Sequence, residues 1–266
     1  MGLYNSQAED RYVFSNSGGT NCMGCGFPDT ITGQLLNPYT KNTEIFTTPM
    51  DTWKEDRRVK DHLASDPCSP RDTKQNCELY AKMVRSNIGY NYAFFSPWRY
   101  FGGKGSSVPV SEANVAQPAN TLMMASSIWD RVRRTGEPSG GGNWVIETPC
   151  FQDINGKYLE PMAQYAPKAK GGDGTLWMYD GGWKPPTAIP GGSAWLVYGG
   201  MWPFHNQVPL PHVQAGLMDG HVIVMMADTS VKSMPVRKTT EGCNPYDGGS
   251  DKAKVDIPDK FIWDLN

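Results

Sequence analysis

The fold of this chain is decided by the stretch His221-Val-Ile-Val-Met-Met-Ala227, which continues as Asp228-Thr-Ser230 and then Val231-Lys-Ser-Met-Pro-Val236. The first run is apolar on both alternations, as is typical of a central strand covered on both faces. The next three residues favour a turn that reverses the chain into a second strand. Pro235 marks the end of pairing or a sheet edge, because proline cannot donate to the ladder. The stretch therefore predicts an antiparallel hairpin.

Asp228 lies at the first position of the predicted turn. A carboxylate there accepts hydrogen bonds from backbone N–H groups two residues further on. We therefore expect Asp228 to have a structural role in the turn.

Further strands are predicted upstream of this hairpin. Thr175-Leu-Trp-Met-Tyr179 and Ala194-Trp-Leu-Val-Tyr198 are apolar runs bounded by glycine, aspartate or proline. Asn155-Gly156 separates Phe151–Ile154 from Lys157–Leu159, which predicts a hairpin with a two-residue type I′ turn. The pattern indicates an antiparallel sheet with long glycine-rich insertions.

Two helical segments are predicted in the first third of the chain. Residues 1–12 have the composition of the last turns of a helix, which the polar run at 15–19 ends. A second helix is expected from about Thr73 to Arg85, where apolar residues share one face. Helices and an antiparallel sheet together predict an α+β fold.

Composition limits the classes of function. The 266 residues carry 25 Lys and Arg against 27 Asp and Glu, so charge gives no reason to expect a nucleic-acid partner. The 9 Trp, 12 Tyr and 9 Phe supply apolar material for a core and argue against a disordered chain. With neither an internal repeat nor a linker, residues 1–266 are expected to form a single globular domain, with an insertion-rich region at 136–206.

The cysteines favour disulfides and an exported protein. They are even in number and lie in loop-like surroundings, at Cys22, Cys25, Cys68, Cys77, Cys150 and Cys243. Cys68 and Cys77 are the best-supported pair because they close a short polar loop. Cys22 would then pair with Cys25, which leaves Cys150 and Cys243 by elimination. A four-cysteine zinc site is the alternative, although a second CxxC motif is missing.

Motifs of catalysis are missing. The sequence has no GxSxG, no Walker loop and no GxGxxG after a strand, so we do not expect an enzyme. The alternative is a metal-dependent hydrolase that uses His212, Asp219 and His221. We expect no transition metal and no cofactor, with calcium as the one ion to consider.

Two surface sites remain as hypotheses. Asp247 and Asp251 place carboxylates on a glycine-rich loop that would suit calcium, and a solvated polar loop is the alternative. Tryptophans set among glycines could stack on sugars, or could pack within the fold or between subunits; they are Trp177, Trp183, Trp195 and Trp202.

Five segments, in this order along the chain, carry a family pattern: Leu3 to Asp10, Gly33 to Asp51, Ser86-Asn-Ile-Gly-Tyr-Asn-Tyr92, Val110 to Ala125, and Gly220 to Lys232. They resemble the bacterial type II and type IV pilin-like (pseudopilin-like) proteins whose C-terminal part carries the prepilin-associated H-x9-DG signature. The third segment is similar to the family's SYGYNY. The fifth is similar to its GGANVxFADGSVK.

The resemblance implies a pilin-like head, in which a helix end packs on an antiparallel β-sheet. It also implies an exported structural subunit of a type IV pilus or a type II secretion-like filament. Its partners would be other pilin-like subunits. An apolar N-terminal helix, absent from the chain as given, would anchor it in the inner membrane before assembly, and the head would lie in the periplasm or at the cell surface. The alternative is a secreted glycan-binding module built on the same head, with the tryptophan-rich surface as its platform.

The chain departs from the family pattern at three positions. Met218 stands where the signature histidine is expected, and Asp228-Thr229 stands in place of Asp-Gly. Thr48 replaces a cysteine before Pro49. The resemblance therefore carries no role that depends on the signature histidine.

Overall fold

The computed structural model describes residues 10–12, 16–17, 30–51, 53, 55–65, 73–101, 104–131, 138–160, 175–176, 183, 199–205, 220–244 and 253–266. Its helices are α1 (Thr32–Thr40), α2 (Glu55–Ser65), α3 (Lys74–Val84) and α4 (Tyr92–Phe95). Its strands are β1 (Asn16–Ser17), β2 (Thr30–Ile31), β3 (Ile88–Asn91), β4 (Trp98–Phe101), β5 (Lys104–Ser107), β6 (Leu122–Ser126), β7 (Asp130–Arg131), β8 (Pro138–Ser139), β9 (Val145–Ile146), β10 (Gln152–Asp153), β11 (Thr175–Leu176), β12 (His221–Met226), β13 (Val231–Pro235) and β14 (Lys254–Val255).

The central element is a five-stranded mixed sheet in the order β13-β12-β6-β3-β9. The first four strands pair antiparallel, and β3 and β9 pair parallel. The prediction of an antiparallel sheet is therefore wrong at this edge. β9 follows the glycine-rich residues 140–142 and runs in the same direction as β3, so the two strands pair parallel. Together with the helices, the sheet gives an α+β fold.

The predicted helix at 73–85 is confirmed as α3. Its N-cap is Thr73, whose side chain accepts a hydrogen bond from the backbone N–H of Asn76 at 3.2 Å. α3 packs against α1 and α2, and its Met83 and Val84 join the same core as the sheet. The helix thus links the α1 and α2 region to the sheet.

The helix predicted for residues 1–12 is wrong where it can be compared. Asp10 has a positive φ of 57°, and Arg11 forms a β-bridge with Ser111. Residues 1–9 lie outside the described part of the chain. Arg11 is extended because the chain at 10–12 pairs along residues 109–112.

The predictions of further strands and of an insertion-rich region are confirmed only in part. Val222, Val224 and Met226 on one face of β12 are buried, and the alternate residues are only half-buried, so the second face is less covered than expected. The strand predicted at 175–179 is observed as β11, and its remaining residues and the run at 194–198 lie outside the described residues. Within the region called insertion-rich, residues 143–151 line the core, among them Trp144, Ile146 and Phe151.

Two hairpins share one loop geometry that differs from the predicted type I′ turn. In the first, the Asp153 N–H donates to the Lys157 carbonyl at 2.7 Å and the Gly156 N–H donates to the Asp153 carbonyl at 2.9 Å. The loop therefore has three residues, and only Gly156 has a positive φ, 81°. Asn155 does not need the left-handed conformation that a type I′ turn would impose.

The β12–β13 hairpin repeats this loop with a different residue at the strained position. The Met226 N–H donates to the Ser230 carbonyl, and the Thr229 N–H donates to the Met226 carbonyl, each at 2.9 Å. Thr229 has a φ of 70°, at the position equivalent to Gly156. A β-branched residue is unfavourable there, because its Cβ crowds the backbone in the left-handed region.

Replacing Thr229 by glycine is therefore expected to raise the free energy of unfolding by about 1 kcal/mol. The reverse change at the equivalent position, Gly156→Ala, should lower it by a similar amount. Urea unfolding of both variants checks the pair. A Thr229→Gly variant less stable than the parent would contradict the loop geometry.

No helix among the described residues combines the length and the apolar character that a membrane span requires.

Candidate functional site

The best-defined candidate site is the place where residues 10–12 attach to the sheet, which we call the anchor site: Asp10, Arg11, Tyr12, the segment 109–112 and the turn 227–228. The Tyr12 N–H donates to the Val110 carbonyl, and the Glu112 N–H donates to the Asp10 carbonyl, both at 2.9 Å. The Arg11 guanidinium adds a bond to the Pro109 carbonyl at 3.2 Å. The stretch is held by backbone groups on both sides of Arg11.

Tyr12 is the side chain that fixes the anchor site. It is 3% exposed, and its ring meets Phe95 edge-on with centroids 4.7 Å apart. Its hydroxyl points to the Ala227 carbonyl at 3.5 Å. Burial, assisted by the charges of Glu112 and Asp228, raises the pKa of Tyr12 to about 12. The Tyr12 phenol is therefore neutral at physiological pH. Its ring packs in the core, and its hydroxyl remains a hydrogen-bond donor.

The turn at Asp228 closes the other side of the anchor site. Its carboxylate accepts hydrogen bonds from the Ser230 N–H at 2.9 Å and the Ser230 hydroxyl at 2.6 Å, which is the bonding expected from the sequence. The bond from the Ser230 hydroxyl is the main cause that lowers the pKa of Asp228. This contribution to stability is present at neutral pH and is lost in acid as the carboxylate protonates.

The same turn contacts the Gln117-Pro-Ala-Asn-Thr121 loop. The Asp228 N–H donates to the Pro118 carbonyl at 3.1 Å, and the Ala227 N–H donates to the Thr121 carbonyl at 2.8 Å. Lys232 reaches the Ala119 carbonyl with its ammonium group at 2.6 Å. Two of the five segments that resemble the pilin-like family are thus joined directly.

Asn87 joins two more of those segments. Its amide Nδ2 donates to Asp51 Oδ2 at 2.7 Å and to the Ser127 carbonyl at 3.2 Å, and its Oδ1 accepts from the Thr48 N–H at 3.1 Å. Its backbone N–H donates to the Phe46 carbonyl at 2.7 Å. Asn87 and Asp51 are both 2% exposed, so this buried polar hub ties the segment at 46–51 to the sheet.

A second buried carboxylate, Glu147, lies next to β9. Its Oε1 accepts from the Tyr92 hydroxyl at 3.1 Å, and its backbone carbonyl accepts from the Trp183 indole at 2.9 Å. The Glu147 N–H donates to the Gly199 carbonyl at 2.7 Å. These bonds join Glu147 to three other parts of the chain within the core, so they help to hold the core together.

The tryptophan platform is wrong for the two members that the structure describes. Trp183 is 1% exposed and packs edge-on against Trp263, with ring centroids 6.5 Å apart. Trp202 is 2% exposed and its backbone pairs with Ser126. Both rings lie inside because they supply large apolar areas to the core. Trp177 and Trp195 lie outside the described residues.

The proposed ion ligands cannot be compared directly. Asp247, Asp251, His212 and Asp219 lie outside the described residues. His221 is described, and its backbone pairs with that of His205. Among the residues that the structure describes, no three His, Cys, Asp or Glu side chains are grouped to hold a metal ion.

The disulfide expected by elimination is present. Cys150 and Cys243 are bonded, with Cα atoms 6.3 Å apart and a sequence separation of 93. Cys77 is also disulfide-bonded. Cys68 lies outside the described residues, so its pairing with Cys77 stays a prediction, as does the pairing of Cys22 with Cys25.

We expect Cys77, Cys150 and Cys243 to be unreactive when the denatured protein is alkylated before reduction. All three should become labelled after reduction, because their thiols are then released. Peptide mapping by mass spectrometry reads the label at each position. Labelling of Cys150 and Cys243 without reduction would contradict the disulfide and favour a reducing compartment.

Residues 261–266 form a strap across the ends of β3 and β6. The Ala116 N–H donates to the Leu265 carbonyl at 2.7 Å, and the Leu122 N–H donates to the Ile262 carbonyl at 2.6 Å. Asn91 Nδ2 donates to the Trp263 carbonyl at 3.0 Å. Within this strap Asp264 is buried, and burial raises its pKa to about 6 against hydrogen bonds from Asn266.

Replacing Asp264 by asparagine is therefore expected to stabilise the protein at pH 7 by about 2 kcal/mol. The folded state holds the Asp264 proton more tightly than the unfolded state, so the parent loses stability as pH rises from about 4 to about 6. Urea unfolding at several pH values should show this loss in the parent and its absence in the variant. The exposed Asp259→Asn is the control, and an equal gain there would contradict the assignment.

No protein-family model, no curated protein and no solved structure matches this chain.

Sequence reasoning missed Tyr12, Glu147 and the hub role of Asn87. Asn87 lies within the Ser86 to Tyr92 motif quoted for the family resemblance, and its place in that motif was the available signal. Tyr12 was included in a helix, and nothing in its neighbours indicated an extended, buried attachment. Glu147 is placed by a parallel pairing that local patterns do not reveal.

Proposed function

We propose that this chain is the exported head of a pilin-like structural subunit that assembles into a type IV pilus or a type II secretion-like filament. The observation that carries the proposal is the anchor site. It attaches the N-terminal part of the chain to the sheet through the buried Tyr12 and the backbone bonds beside it. A head carried on an N-terminal stalk needs this kind of attachment, because a force on the stalk acts directly on the residues that join it to the head.

The contacts between the resembling segments support the proposal. The turn at Asp228 bonds to the loop at 117–121, and the polar hub at Asn87 bonds to Phe46, Thr48 and Asp51. These residues therefore pack against one another, as the segments of one structural head would. The disulfide between Cys150 and Cys243 supports an oxidising compartment such as the periplasm or the cell surface.

The partners under this proposal are other pilin-like subunits. Before assembly an apolar N-terminal helix would hold the subunit in the inner membrane, and in the filament the same helices would pack together. The head then contributes surface and rigidity, so a subunit of this kind requires neither a cofactor nor an enzymatic activity.

The proposal is tested by the N-terminus of the mature protein isolated from the cells that make it. Mass spectrometry of the N-terminal peptides should find about 20 apolar residues, the length of a membrane span, ahead of Leu3, beginning at a processed end. The Cys150 to Cys243 peptide from the same sample should be oxidised. A mature chain with no apolar segment ahead of Leu3 would overturn the proposal.

A further inference from the structure

The sequence contains a single asparagine followed by glycine, Asn155-Gly156, in the three-residue loop after β10. Asn155 is exposed, and Gly156 is half-buried. The main-chain nitrogen of a glycine can approach the side-chain carbonyl carbon of the preceding asparagine closely, because glycine has no Cβ to hinder it. The Asn155 side-chain amide is therefore open to attack by the Gly156 nitrogen whenever the backbone of the loop is free to turn.

Hydrogen bonds hold this loop in one conformation. The Gly156 N–H donates to the Asp153 carbonyl at 2.9 Å, so the proton on the attacking nitrogen is engaged. Asp153 Oδ1 accepts from the Asn155 N–H at 2.9 Å and from the Lys157 N–H at 2.8 Å. The backbone on both sides of Gly156 is thus tied to Asp153, and Gly156 is fixed at a φ of 81°.

We propose that Asn155 is a deamidation site and that the hydrogen bonds to Asp153 protect it in the folded protein. When the loop opens, the Gly156 nitrogen bonds to Asn155 Cγ and the Cγ–Nδ2 bond breaks. Ammonia leaves with the proton of the former Gly156 N–H, and a cyclic imide remains. Water then opens the imide at Cγ to give aspartate, or at the main-chain carbonyl carbon to give isoaspartate. One water is consumed and nothing is oxidised or reduced.

Opening of the loop controls the rate of this reaction. Exposed loops open locally at a much smaller free-energy cost than the whole fold. The rate in the folded protein is the rate in the open chain multiplied by the fraction of molecules in which the loop is open. Removal of the two bonds to Asp153 Oδ1 should therefore raise the rate by about tenfold, given the usual net strength of such bonds.

The products do not fit the loop that protects the asparagine. Isoaspartate carries the main chain through Cβ and Cγ, which adds one backbone atom to a loop of three residues. Either product also adds a negative charge to a loop that already holds the Asp153 carboxylate. An opening event is thus recorded as a covalent change directly beside the pairing of β10 with β14.

Incubation of the purified chain in mildly alkaline buffer tests the site. Peptide mapping by mass spectrometry follows the conversion of Asn155, and an isoaspartate-specific methylation assay detects the isomer that forms only through the imide. Asn155 should convert at least about tenfold more slowly in the folded protein than in the same chain unfolded in guanidinium chloride. Asn114 is the internal reference, because it is exposed but precedes the β-branched Val115, and it should convert far more slowly than Asn155 in the unfolded chain.

Two substitutions separate the hydrogen bonds of Asp153 from its charge. Asp153→Ala removes the acceptor and should speed the conversion of Asn155 in the folded protein by about tenfold. Asp153→Asn keeps an Oδ1 acceptor without the charge and should stay close to the parent. Near-UV circular dichroism shows that each variant is folded.

Four results would each overturn the inference. They are equal rates in the folded and unfolded parent, an Asp153→Ala variant no faster than the parent, an Asp153→Asn variant as fast as Asp153→Ala, and a product with aspartate but no isoaspartate. The comparison of the folded with the unfolded parent decides the matter even if a variant fails to fold. None of these results depends on the proposed function.

Discussion

Replacing Gly142 by alanine is expected to lower the free energy of unfolding by more than about 4 kcal/mol, a loss large enough to leave little folded protein. A Cβ at this position would lie 1.7 Å from the Ser86 carbonyl oxygen and 2.4 Å from the Asn87 backbone nitrogen. Both are main-chain atoms in the core, so a side-chain rotation cannot relieve the clash. The Gly142 N–H, which donates to the Arg85 carbonyl at 2.9 Å, would also be displaced.

Urea unfolding followed by tryptophan fluorescence measures this loss. Gly156→Ala is the matched control, because a Cβ there meets no atom closer than 3.6 Å and only the backbone conformation is strained. The control should lose about 1 kcal/mol. Equal losses in the two variants would show that residue 142 does not pack against the Ser86 backbone.

Replacing Asn87 by aspartate is expected to cost about 4 kcal/mol at pH 7, because it converts a buried hydrogen bond into a repulsion between carboxylates. The amide that donates to Asp51 Oδ2 at 2.7 Å is removed, and a second negative charge takes its place. The two carboxyl groups must then share a proton, so the pKa of the pair rises in the folded state. Stability of the variant should recover as pH falls from 7 toward 5.

Chemical unfolding at several pH values checks both the size and the sign of this effect. Asn42→Asp is the control, since its exposed Oδ1 accepts from the Glu44 N–H at 2.9 Å and a carboxylate oxygen can accept the same bond. The control should stay close to the parent at every pH. An Asn87→Asp variant as stable as the parent at pH 7 would show that the hydrogen bond between Asn87 and Asp51 does not stabilise the fold.

The sequence predicted the elements whose signals are local. The apolar run at 221–227, the turn residues after it and Pro235 predicted β12 and β13, and the spacing at 73–85 predicted α3. The hydrogen bond of Asp228 followed from turn chemistry. Each of these depends on neighbours within a few residues, where side-chain periodicity and backbone preference act together.

Long-range packing was beyond the sequence patterns. The parallel pairing of β9 with β3 depends on Gly142 lying against Ser86, far away in the chain, and glycine at 140–142 indicated only a turn. The loop type at Asn155-Gly156 depends on which backbone groups bond across the hairpin. The Asn-Gly dipeptide is compatible with both a two-residue type I′ turn and a three-residue loop. Trp183 and Trp202 lie among glycines in the sequence, yet their surroundings are set by residues more than thirty positions away.

The proposal that the chain belongs to an exported filament can be tested by its distribution in the cells that make it. Filaments are sheared from intact cells, and the protein in the sheared, periplasmic and cytoplasmic fractions is quantified by mass spectrometry, with a cytoplasmic enzyme as the marker of lysis. We expect the chain in the sheared or periplasmic fractions, with the Cys150 to Cys243 bond intact. A chain confined to the cytoplasmic fraction, with both thiols reduced, would contradict it.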